Sequence, residues 1–445
     1  MQKKIIKNGL IINRGKSEYG DLLIEGQRIT KVGGTIDETG IEIDAEGKWV
    51  LPGIIDDQVH FREPGLTHKA NIYTESRAAV AGGVTSFMEM PNTQPPAVTS
   101  EKLEEKYAIA STNAWCNYSF FMGTTNDNYD DIMSIDYSKV CGIKIFMGSS
   151  TGNMLVDDMP VLEKIFANAP ALIATHCEDE NTIKERQQFF VGKYGDQIQA
   201  DFHPIIRNER ACLLSSSLAA NLARKHNTRL HILHISSMEE LALFNELIPL
   251  QEKRLTSEVC VHHLWFTADD YTNLGNQIKC NPAIKAHQHA PALLKALKEG
   301  KLDIIATDHA PHTWEEKMKP YLHAPSGLPL VQHAFSMMMK WVHDGSISKE
   351  MLVEKMSHNP AICFQMPDRG FLDEGKFADV IVVDPTSTWK VEKDNIHYKC
   401  GWSPLEGEHL TGKVLHTLVN GAHVYNRGDF SAPGFGQRLI FNAHH

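Results

Sequence analysis

Apolar runs that recur about every 30 residues, each separated from the next by a helix-like segment, constrain the fold more than any other feature. Continuous apolar runs bounded by turn residues are typical of strands that are buried on both faces. Because such strands alternate with helices here, eight of them predict a closed (β/α)8 barrel. The runs are Val50–His60, Val84–Asn92, Asn117–Gly123, Gly142–Gly148, Ala171–Glu178, Arg229–Ser237, Thr256–Leu264 and Asp303–His312.

The segments between these runs carry apolar residues at helical spacing. They predict helices at Ile72–Ala81, Leu103–Ser111, Val161–Asn168, Arg210–His226, Met238–Glu246 and Pro291–Glu299. The segment Thr313–Gly327 after the last run has little periodicity, and we predict a mobile loop over the barrel mouth. The mouth matters because active sites in this fold lie where the strands end.

The two ends of the chain have a different pattern. Short alternating runs such as Lys4–Ile12, Asp21–Lys31, Ala378–Val383 and Val414–Asn420 are typical of antiparallel strands with one face in a core. We therefore predict a small β-sandwich domain built from residues 1–50 and 365–445, and a catalytic (β/α)8 barrel over residues 51–364. A chain of 445 residues is long enough for this division.

Composition excludes several classes of protein. With 42% hydrophobic and 22% charged residues the chain is an ordinary globular protein, and its net charge of −11 argues against binding to nucleic acid. No stretch has the ~18 apolar residues of a membrane span, and the first residues lack the apolar centre of a signal peptide. The eight cysteines form no CxxC pair, so neither a zinc ribbon nor a disulfide framework is predicted. We predict a cytoplasmic protein without a membrane or nucleic-acid partner.

Side chains that bind metals lie at or near the ends of the predicted strands. Alternation along the first strand puts Gln58 and His60 on the same side. Lys144 lies inside an apolar run, where a bare cation is costly, so it should reach water, pair with a carboxylate or be chemically modified. Three further strands supply the remaining candidates, His176, His234 and Asp308. Because the strand ends meet at one mouth, these side chains predict a metallohydrolase centre.

Seven segments carry a resemblance to a known family: Asp56–Gly65, Met90–Thr93, Gly142–Lys144, Thr175–Glu178, Leu233–Ser236, Glu258–Leu264 and Ala306–His312. They resemble the motif set of the amidohydrolase superfamily and, within it, class I dihydroorotase. The most specific parts are the sequence from His60 to Gly65 and Met-Pro-Asn-Thr at residues 90–93. The resemblance covers nearly the whole chain. It implies a zinc-dependent hydrolase that interconverts (S)-dihydroorotate and N-carbamoyl-L-aspartate in pyrimidine biosynthesis.

The resemblance also implies roles for the strand-end residues. Lys144, as N6-carboxylysine, would bridge two zinc ions. His176 and His234 would bind the more exposed ion, whereas His60 and Asp308 would bind the more buried one. Asp308 would also take the proton of the attacking water and pass it to the departing amide nitrogen.

A second group of residues is predicted to hold the substrate. Arg62 points to the same mouth as His60, and its planar fork suits a carboxylate. Asn92 can add a donor, His312 could complete this carboxylate clamp, and Asn281 is similar to a position that contacts the pyrimidine ring in the family. The alternatives are a surface salt bridge for Arg62, turn residues for Asn92 and Asn281, and a helix cap for His312. We predict that the remaining mouth histidines pack or orient ligands, namely His231, His262, His263 and His309.

Gln58 departs from the family pattern, which has a metal-binding histidine at this position. An amide oxygen is a weaker zinc ligand than imidazole. Three outcomes are open: Gln58 coordinates through its oxygen, a water takes its place, or the buried ion is lost and a single zinc remains. A fourth outcome is an inactive relative that serves as a scaffold for an aspartate transcarbamoylase.

Other functions remain open at this stage. Another cyclic amidase, such as an allantoinase or a hydantoinase/dihydropyrimidinase, would use a similar metal centre, but its substrates lack the ring carboxylate. The predicted partner is in each case a small-molecule substrate. The resemblance further implies a homodimer.

Overall fold

The computed structural model describes residues 3–148 and 154–442, which form a barrel of parallel strands and a second sheet built from both chain ends. The strands in these residues are β1 (Lys3–Asn13), β2 (Lys16–Glu25), β3 (Arg28–Val32), β4 (Ile41–Asp44), β5 (Trp49–Pro52), β6 (Ile54–Val59), β7 (Val84–Glu89), β8 (Asn117–Phe120), β9 (Met122–Gly123), β10 (Ile143–Phe146), β11 (Ile173–His176), β12 (Leu230–Ile232), β13 (Leu255–Cys260), β14 (Ile304–Ala306), β15 (Val380–Lys390), β16 (His409–Val419), β17 (Ala422–Asn426) and β18 (Asp429–Phe430).

The α-helices of the same residues are α1 (Ile72–Ala81), α2 (Ser100–Asn113), α3 (Tyr129–Ser134), α4 (Met159–Asn168), α5 (Glu180–Tyr194), α6 (His203–Ile206), α7 (Glu209–His226), α8 (Val261–Trp265), α9 (Tyr271–Leu274), α10 (His289–Glu299), α11 (Trp314–Lys317), α12 (Ala334–His343), α13 (Lys349–Val353) and α14 (Asn359–Cys363). Short 3-10 turns lie at Gly195–Gln197, Ala200–Phe202, Glu239–Leu243, Leu250–Glu252, Ala268–Asp270, Gly275–Ile278 and Lys393–Asn395, and a π-helical turn at Glu354–His358. Across the described ranges, none of the helices has the length and apolar content to span a bilayer.

Strands β6 to β14 form the barrel. β6, β7 and β8 pair in parallel, and so do β9 to β14 in chain order. The ring closes where the backbone N–H of His60 donates to the carbonyl of His309 at 2.7 Å. The predicted strand over residues 117–123 is split into β8 and β9 at Phe121, whose side chain is buried. The predicted (β/α)8 architecture is confirmed.

The second sheet joins the two ends of the chain. Its strand order in the described residues is β18-β17-β16-β15-β5-β1-β2-β3, with β4 beside β1. The junction is the antiparallel pair of β15 with β5, where Val382 faces Val50. Buried residues from both ends, such as Ile6, Leu22 and Val380, share one core. A separate β domain made by both chain ends is therefore confirmed, whereas its boundaries at residues 50 and 365 stay a prediction.

Two predicted elements are wrong in part. The segment Met238–Glu246 forms only the short 3-10 turn Glu239–Leu243, because the buried Glu240 carboxylate accepts hydrogen bonds from Ser216 and Ser237 and ties the chain in a tight turn. The run Thr256–Leu264 is not one strand. β13 ends at Cys260, and α8 begins at the next residue.

Gly53 is the single residue between the β domain strand β5 and the first barrel strand β6. A Cβ atom at this position would lie 2.0 Å from Oγ1 of Thr85, far inside contact distance. The link between the domains can therefore lie this close to barrel strand β7 only because residue 53 has no side chain.

Gly53→Ala should lower the free energy of unfolding by about 1–3 kcal/mol, because the added methyl group forces β6 away from β7. Denaturant unfolding followed by circular dichroism measures this change. The matched control is Gly192→Ala in α5, where a Cβ meets no described atom within 4 Å and should stabilise the helix by about 0.5–1 kcal/mol. Equal stability of Gly53→Ala and the parent would contradict the close-packing argument.

Candidate active site

The carboxyl ends of the barrel strands surround a cavity of about 260 Å³. Each residue predicted from the sequence for the metal centre or for the carboxylate clamp lines it. The lining consists of Gln58, His60, Arg62, Asn92, Lys144, Phe146, His176, His234, Asn281, Asp308, Ala310, His312 and residues 325–327. A larger groove of about 490 Å³ lies elsewhere, and its walls are mainly amide and small polar side chains, such as Gln199, Asn273 and Gln277.

Lys144, His176 and His234 form one side of the cavity. The register of β10 with β11 pairs Phe146 with His176 and so brings the lysine strand beside the histidine strand. Nδ1 of His176 lies 3.0 Å from Nε2 of His234. Two nitrogens that bind one tetrahedral zinc are about 3.3 Å apart, so the present spacing fits a shared ion. Among the described residues Nδ1 of His234 has no hydrogen-bond partner, although the side chain is buried.

Burial changes the chemistry of Lys144. Its side chain is only 1% exposed, and the loss of hydration lowers the pKa of its ammonium group to about 7. A large share of the amine is therefore neutral near neutral pH. A neutral amine is a nucleophile and can take up carbon dioxide as a carbamate, whereas an ammonium group cannot.

Asp308 forms the opposite side of the cavity together with the first strand. Its Oδ1 lies 3.1 Å from Nε2 of His60 and accepts a hydrogen bond of 3.2 Å from Nε2 of Gln58. Because a carboxylate only accepts, Gln58 turns its amide nitrogen toward Asp308. The amide oxygen of Gln58 faces Sγ of Cys260 at 3.7 Å. Oδ1 of Asn92 lies 2.8 Å from Nδ1 of His60 and fixes the plane of that ring.

Three cavity residues have backbone angles in the left-handed region, which side chains other than glycine rarely adopt. The φ angles are 70° at Arg62, 40° at His234 and 47° at Asp308. Conformations of this kind cost about 1–3 kcal/mol each and collect at functional sites. The surrounding barrel therefore holds these side chains in positions that an isolated loop would not maintain.

A cationic group closes one end of the cavity. Nε of Arg62 donates to the carbonyl of Pro311 at 3.1 Å, and its NH2 nitrogen lies 3.1 Å from Nε2 of His312. Burial lowers the pKa of Arg62 to about 10, which still leaves the guanidinium charged at neutral pH. Burial and the neighbouring Arg62 hold the pKa of His312 well below its ordinary value, so this imidazole is neutral.

His312 has a cation beside each ring nitrogen. Nζ of Lys69 lies 3.1 Å from Nδ1, and the NH2 nitrogen of Arg62 lies 3.1 Å from Nε2. Nε2 also lies 3.0 Å from the carbonyl oxygen of Ser326. Asn281 lines the neighbouring wall, where its Oδ1 lies 3.1 Å from Nε2 of the buried His203.

Carboxylates behind the cavity orient the imidazoles, and sequence reasoning gave them no role. Glu178 lies 3.1 Å from Nε2 of His176 and pairs with Arg207. Glu258 accepts a hydrogen bond of 3.0 Å from the backbone N–H of His234. The signal for Glu178 was its position two residues after His176 in the predicted run Ala171–Glu178, because a continued strand would put both side chains on one side.

Two of the histidines predicted to pack or orient ligands contact buried carboxylates. Nε2 of His231 lies 3.3 Å from both Asp57 and Glu258. Burial opposes its charge, but the two carboxylates prevail and raise the pKa of His231 to about 9. His309 lies 2.8 Å from Glu75 and accepts backbone hydrogen bonds from Leu330 and Val331.

A comparison with protein-family profiles matches residues 49–424 to the amidohydrolase family. The chain belongs to this family. The amidohydrolase also has curated relatives of similar length. It is 31% identical to a dihydroorotase of Halobacterium salinarum, with 93% of this chain and 94% of that protein covered. It is 32% identical to a dihydroorotase of Methanosarcina acetivorans, with 98% and 94% covered. A dihydroorotase of Listeria monocytogenes is 32% identical, with 96% and 99% covered.

Solved structures similar to this amidohydrolase carry other names. An L-hydantoinase (dihydropyrimidinase) from Arthrobacter aurescens superposes with a TM-score of 0.92 at 26% identity, covering 99% of this chain and 100% of that one. A dihydropyrimidinase from Brevibacillus agri superposes with a TM-score of 0.90 at 23% identity, covering 99% and 100%. At 23% identity, the likeness to the Brevibacillus agri structure concerns the fold alone. The predicted fold and family are both confirmed by these comparisons.

Proposed function

We propose that this amidohydrolase is a zinc-dependent dihydroorotase, which reversibly hydrolyses the cyclic amide of (S)-dihydroorotate to N-carbamoyl-L-aspartate in de novo pyrimidine biosynthesis. The observation that carries the proposal is the buried, charged guanidinium of Arg62 in the same cavity as the Lys144, His176, His234 and Asp308 group. Dihydroorotate has a ring carboxylate that such a cation would hold. The coarser assignment, a hydrolase acting on cyclic amides, rests on the family together with the named relatives.

The donor set fits zinc. Imidazole, carboxylate and carbamate groups are good ligands for this ion, and the close pair of His176 and His234 has the right spacing for a shared one. Lys144 as N6-carboxylysine would supply an anionic oxygen between the two sides of the cavity. When bound, zinc lowers the pKa of water toward ~7 and polarises the scissile carbonyl. The set is compatible with one or two ions per chain. Gln58 turns its nitrogen toward Asp308, so its amide oxygen does not face the position of a second ion between His60 and Asp308.

The protein's own groups would then do the following. Arg62 binds the ring carboxylate and sets the orientation of the ring. Asp308 faces Lys144, His176 and His234 across the cavity and would accept a proton from the attacking water and return it to the ring nitrogen that departs. Asn92 and His60 hold Asp308 through the chain of contacts at 2.8 and 3.1 Å. Residues 325–327, which line the cavity, would restrict the access of bulk water.

A second candidate is a hydantoinase or dihydropyrimidinase, which the likeness to the Arthrobacter aurescens structure favours. Hydantoin and dihydropyrimidine rings carry no carboxylate, so Arg62 would have no anionic partner in a hydantoinase or dihydropyrimidinase. An allantoinase is disfavoured for the same reason. A homodimer, an association with aspartate transcarbamoylase and a cytoplasmic location stay predictions.

A substrate panel separates these candidates. Purified protein loaded with zinc is assayed with dihydroorotate, dihydrouracil, hydantoin and allantoin, and kcat/KM is compared between them. We expect the highest value for dihydroorotate, and we expect a chelator to remove the activity and zinc to restore it. A higher kcat/KM for hydantoin or dihydrouracil would replace the proposal with the second candidate.

A further inference from the structure

A buried cluster of sulfur and nitrogen donors lies at the junction of β13 and α8. Cys260 is the last residue of β13, and His262 and His263 belong to the first turn of α8. The thiol sulfur and one ring nitrogen from each histidine lie within 4.8 Å of one another. All three side chains are buried, and they are separate from the residues that line the 260 Å³ cavity.

The hydrogen bonding of the two histidines leaves lone pairs free for a ligand. Nε2 of His263 donates to the carbonyl of Pro282 at 3.1 Å, so Nδ1 carries the lone pair, and Nδ1 has no hydrogen-bond partner in the described part of the chain. This is the arrangement of a metal-binding histidine, whose other nitrogen donates to a carbonyl group. Within the same residues neither ring nitrogen of His262 makes a hydrogen bond of good geometry, although its exposure is 0% and the backbone of Thr307 lies close enough to oppose the effect of burial on its pKa.

These orphaned nitrogens differ from what a packing role requires. The sequence predicted that His262 and His263 pack or orient ligands, but buried polar groups in packing roles are almost always hydrogen-bonded. Leaving a buried polar atom unpaired costs energy that a bound ion would recover.

Acidic side chains lie close to the thiol. Sγ of Cys260 lies 4.0 Å from Oε1 of Glu258, and Gln58, which faces the same sulfur, donates to Asp308 at 3.2 Å. A divalent ion at this position would form the bond to the sulfur, release the thiol proton to solvent and lie near these acidic groups.

We propose that Cys260, His262 and His263 bind a zinc ion at a structural site beside the catalytic cavity, with the amide oxygen of Gln58, which also lines that cavity, in the fourth position. One sulfur, two nitrogens and one oxygen suit tetrahedral zinc, and the donors need to close from the present spacing to about 3.5 Å. The amide oxygen of Gln58 is close enough to become the fourth ligand, since it lies 3.7 Å from the Cys260 sulfur.

The proposed ion would connect two barrel strands at the mouth. Cys260 belongs to β13 and Gln58 to β6, on the two sides of β14. Because the nitrogen of the same Gln58 amide donates to Asp308, the ion would also polarise that hydrogen bond and steady the carboxylate. This gives Gln58 a function that does not require it to bind the catalytic metal.

Zinc-edge X-ray absorption of the full-length, zinc-loaded protein tests this site. We expect a sulfur scatterer at about 2.3 Å from zinc, because the proposed catalytic ligands are nitrogen and oxygen atoms only. Cys260→Ser should remove the sulfur shell. The matched control is Cys212→Ser, since Cys212 is another buried thiol, which contacts Ser236 at 3.8 Å, and its replacement should leave the sulfur shell in place.

Two results would overturn the proposal: a spectrum without sulfur at full zinc loading, or a sulfur shell that survives Cys260→Ser. If Cys260→Ser does not fold, the absorption spectrum of the cobalt-substituted parent protein is measured instead. The absence of a thiolate-to-cobalt charge-transfer band in that spectrum rejects the site. Turnover of dihydroorotate is not part of this readout. Failure of the proposed substrate and failure of the cysteine site can therefore be told apart.

Discussion

Asp308→Asn should reduce kcat/KM for dihydroorotate by about 10³-fold or more, because the amide cannot take a proton from water and return it to the leaving nitrogen. The loss should fall mainly on kcat, since Arg62 and not Asp308 is the group proposed to hold the substrate carboxylate. Steady-state assays in both directions of the reaction measure it. Zinc content, determined on the same samples, separates the loss of a proton carrier from the loss of metal.

Asp303→Asn is the matched control for this change. Asp303 directly precedes the same strand, β14, at the opposite end of the barrel, where it pairs with Lys253. Removing its charge tests the effect of losing a buried carboxylate from this part of the chain without altering the cavity. We expect near-parental kcat in the folded control. A kcat/KM of Asp308→Asn within about tenfold of the parent would remove Asp308 from the proposed proton transfer.

Arg62→Ala should lower kcat/KM for dihydroorotate by about 10- to 150-fold, which corresponds to about 1.5–3 kcal/mol for a charge-assisted contact. The side chain is 7% exposed, so water can replace the guanidinium only in part. The change should be specific to substrates with a carboxylate. Any slow turnover of dihydrouracil, which has no carboxylate, should therefore decline much less.

The control for Arg62→Ala is Arg229→Ala. Arg229 is a partly buried arginine beside the start of β12, where it donates to the carbonyl of Cys363, away from the cavity. Its loss should affect stability without changing the preference between the two substrates. An equal decline for dihydroorotate and dihydrouracil in Arg62→Ala would mean that Arg62 supports the cavity wall and does not bind the carboxylate.

The barrel could be predicted from the sequence because its strands are buried on both faces and read as continuous apolar runs. Helix α1 was predicted to the residue, and Asn71 caps its first turn by accepting from the backbone of Thr74. The turn at Glu239–Leu243 could not be predicted. Its apolar spacing is helical, but the buried carboxylate of Glu240 decides the backbone, and sequence does not reveal whether a glutamate points inward.

The cavity, too, could be predicted only in part, because sequence does not show which polar side chains point inward. Strand ends converge in a barrel, so the sequence was enough to bring Lys144, His176 and Asp308 together. The supporting carboxylate Glu258 has no such signature, because a buried and a surface glutamate look alike in sequence, and Glu178 is indicated only by its spacing from His176. The left-handed backbone at Asp308 was also beyond prediction, since that conformation is rare in residues other than glycine.

The pairing of β5 with β15 has a consequence for biosynthesis. Val50 meets its partner Val382 only after more than three hundred intervening residues have left the ribosome. Until then β5 offers an open edge to any other extended chain. A nascent polypeptide that stalls within the barrel would therefore be prone to misassembly, and early chaperone binding to the first fifty residues would protect it.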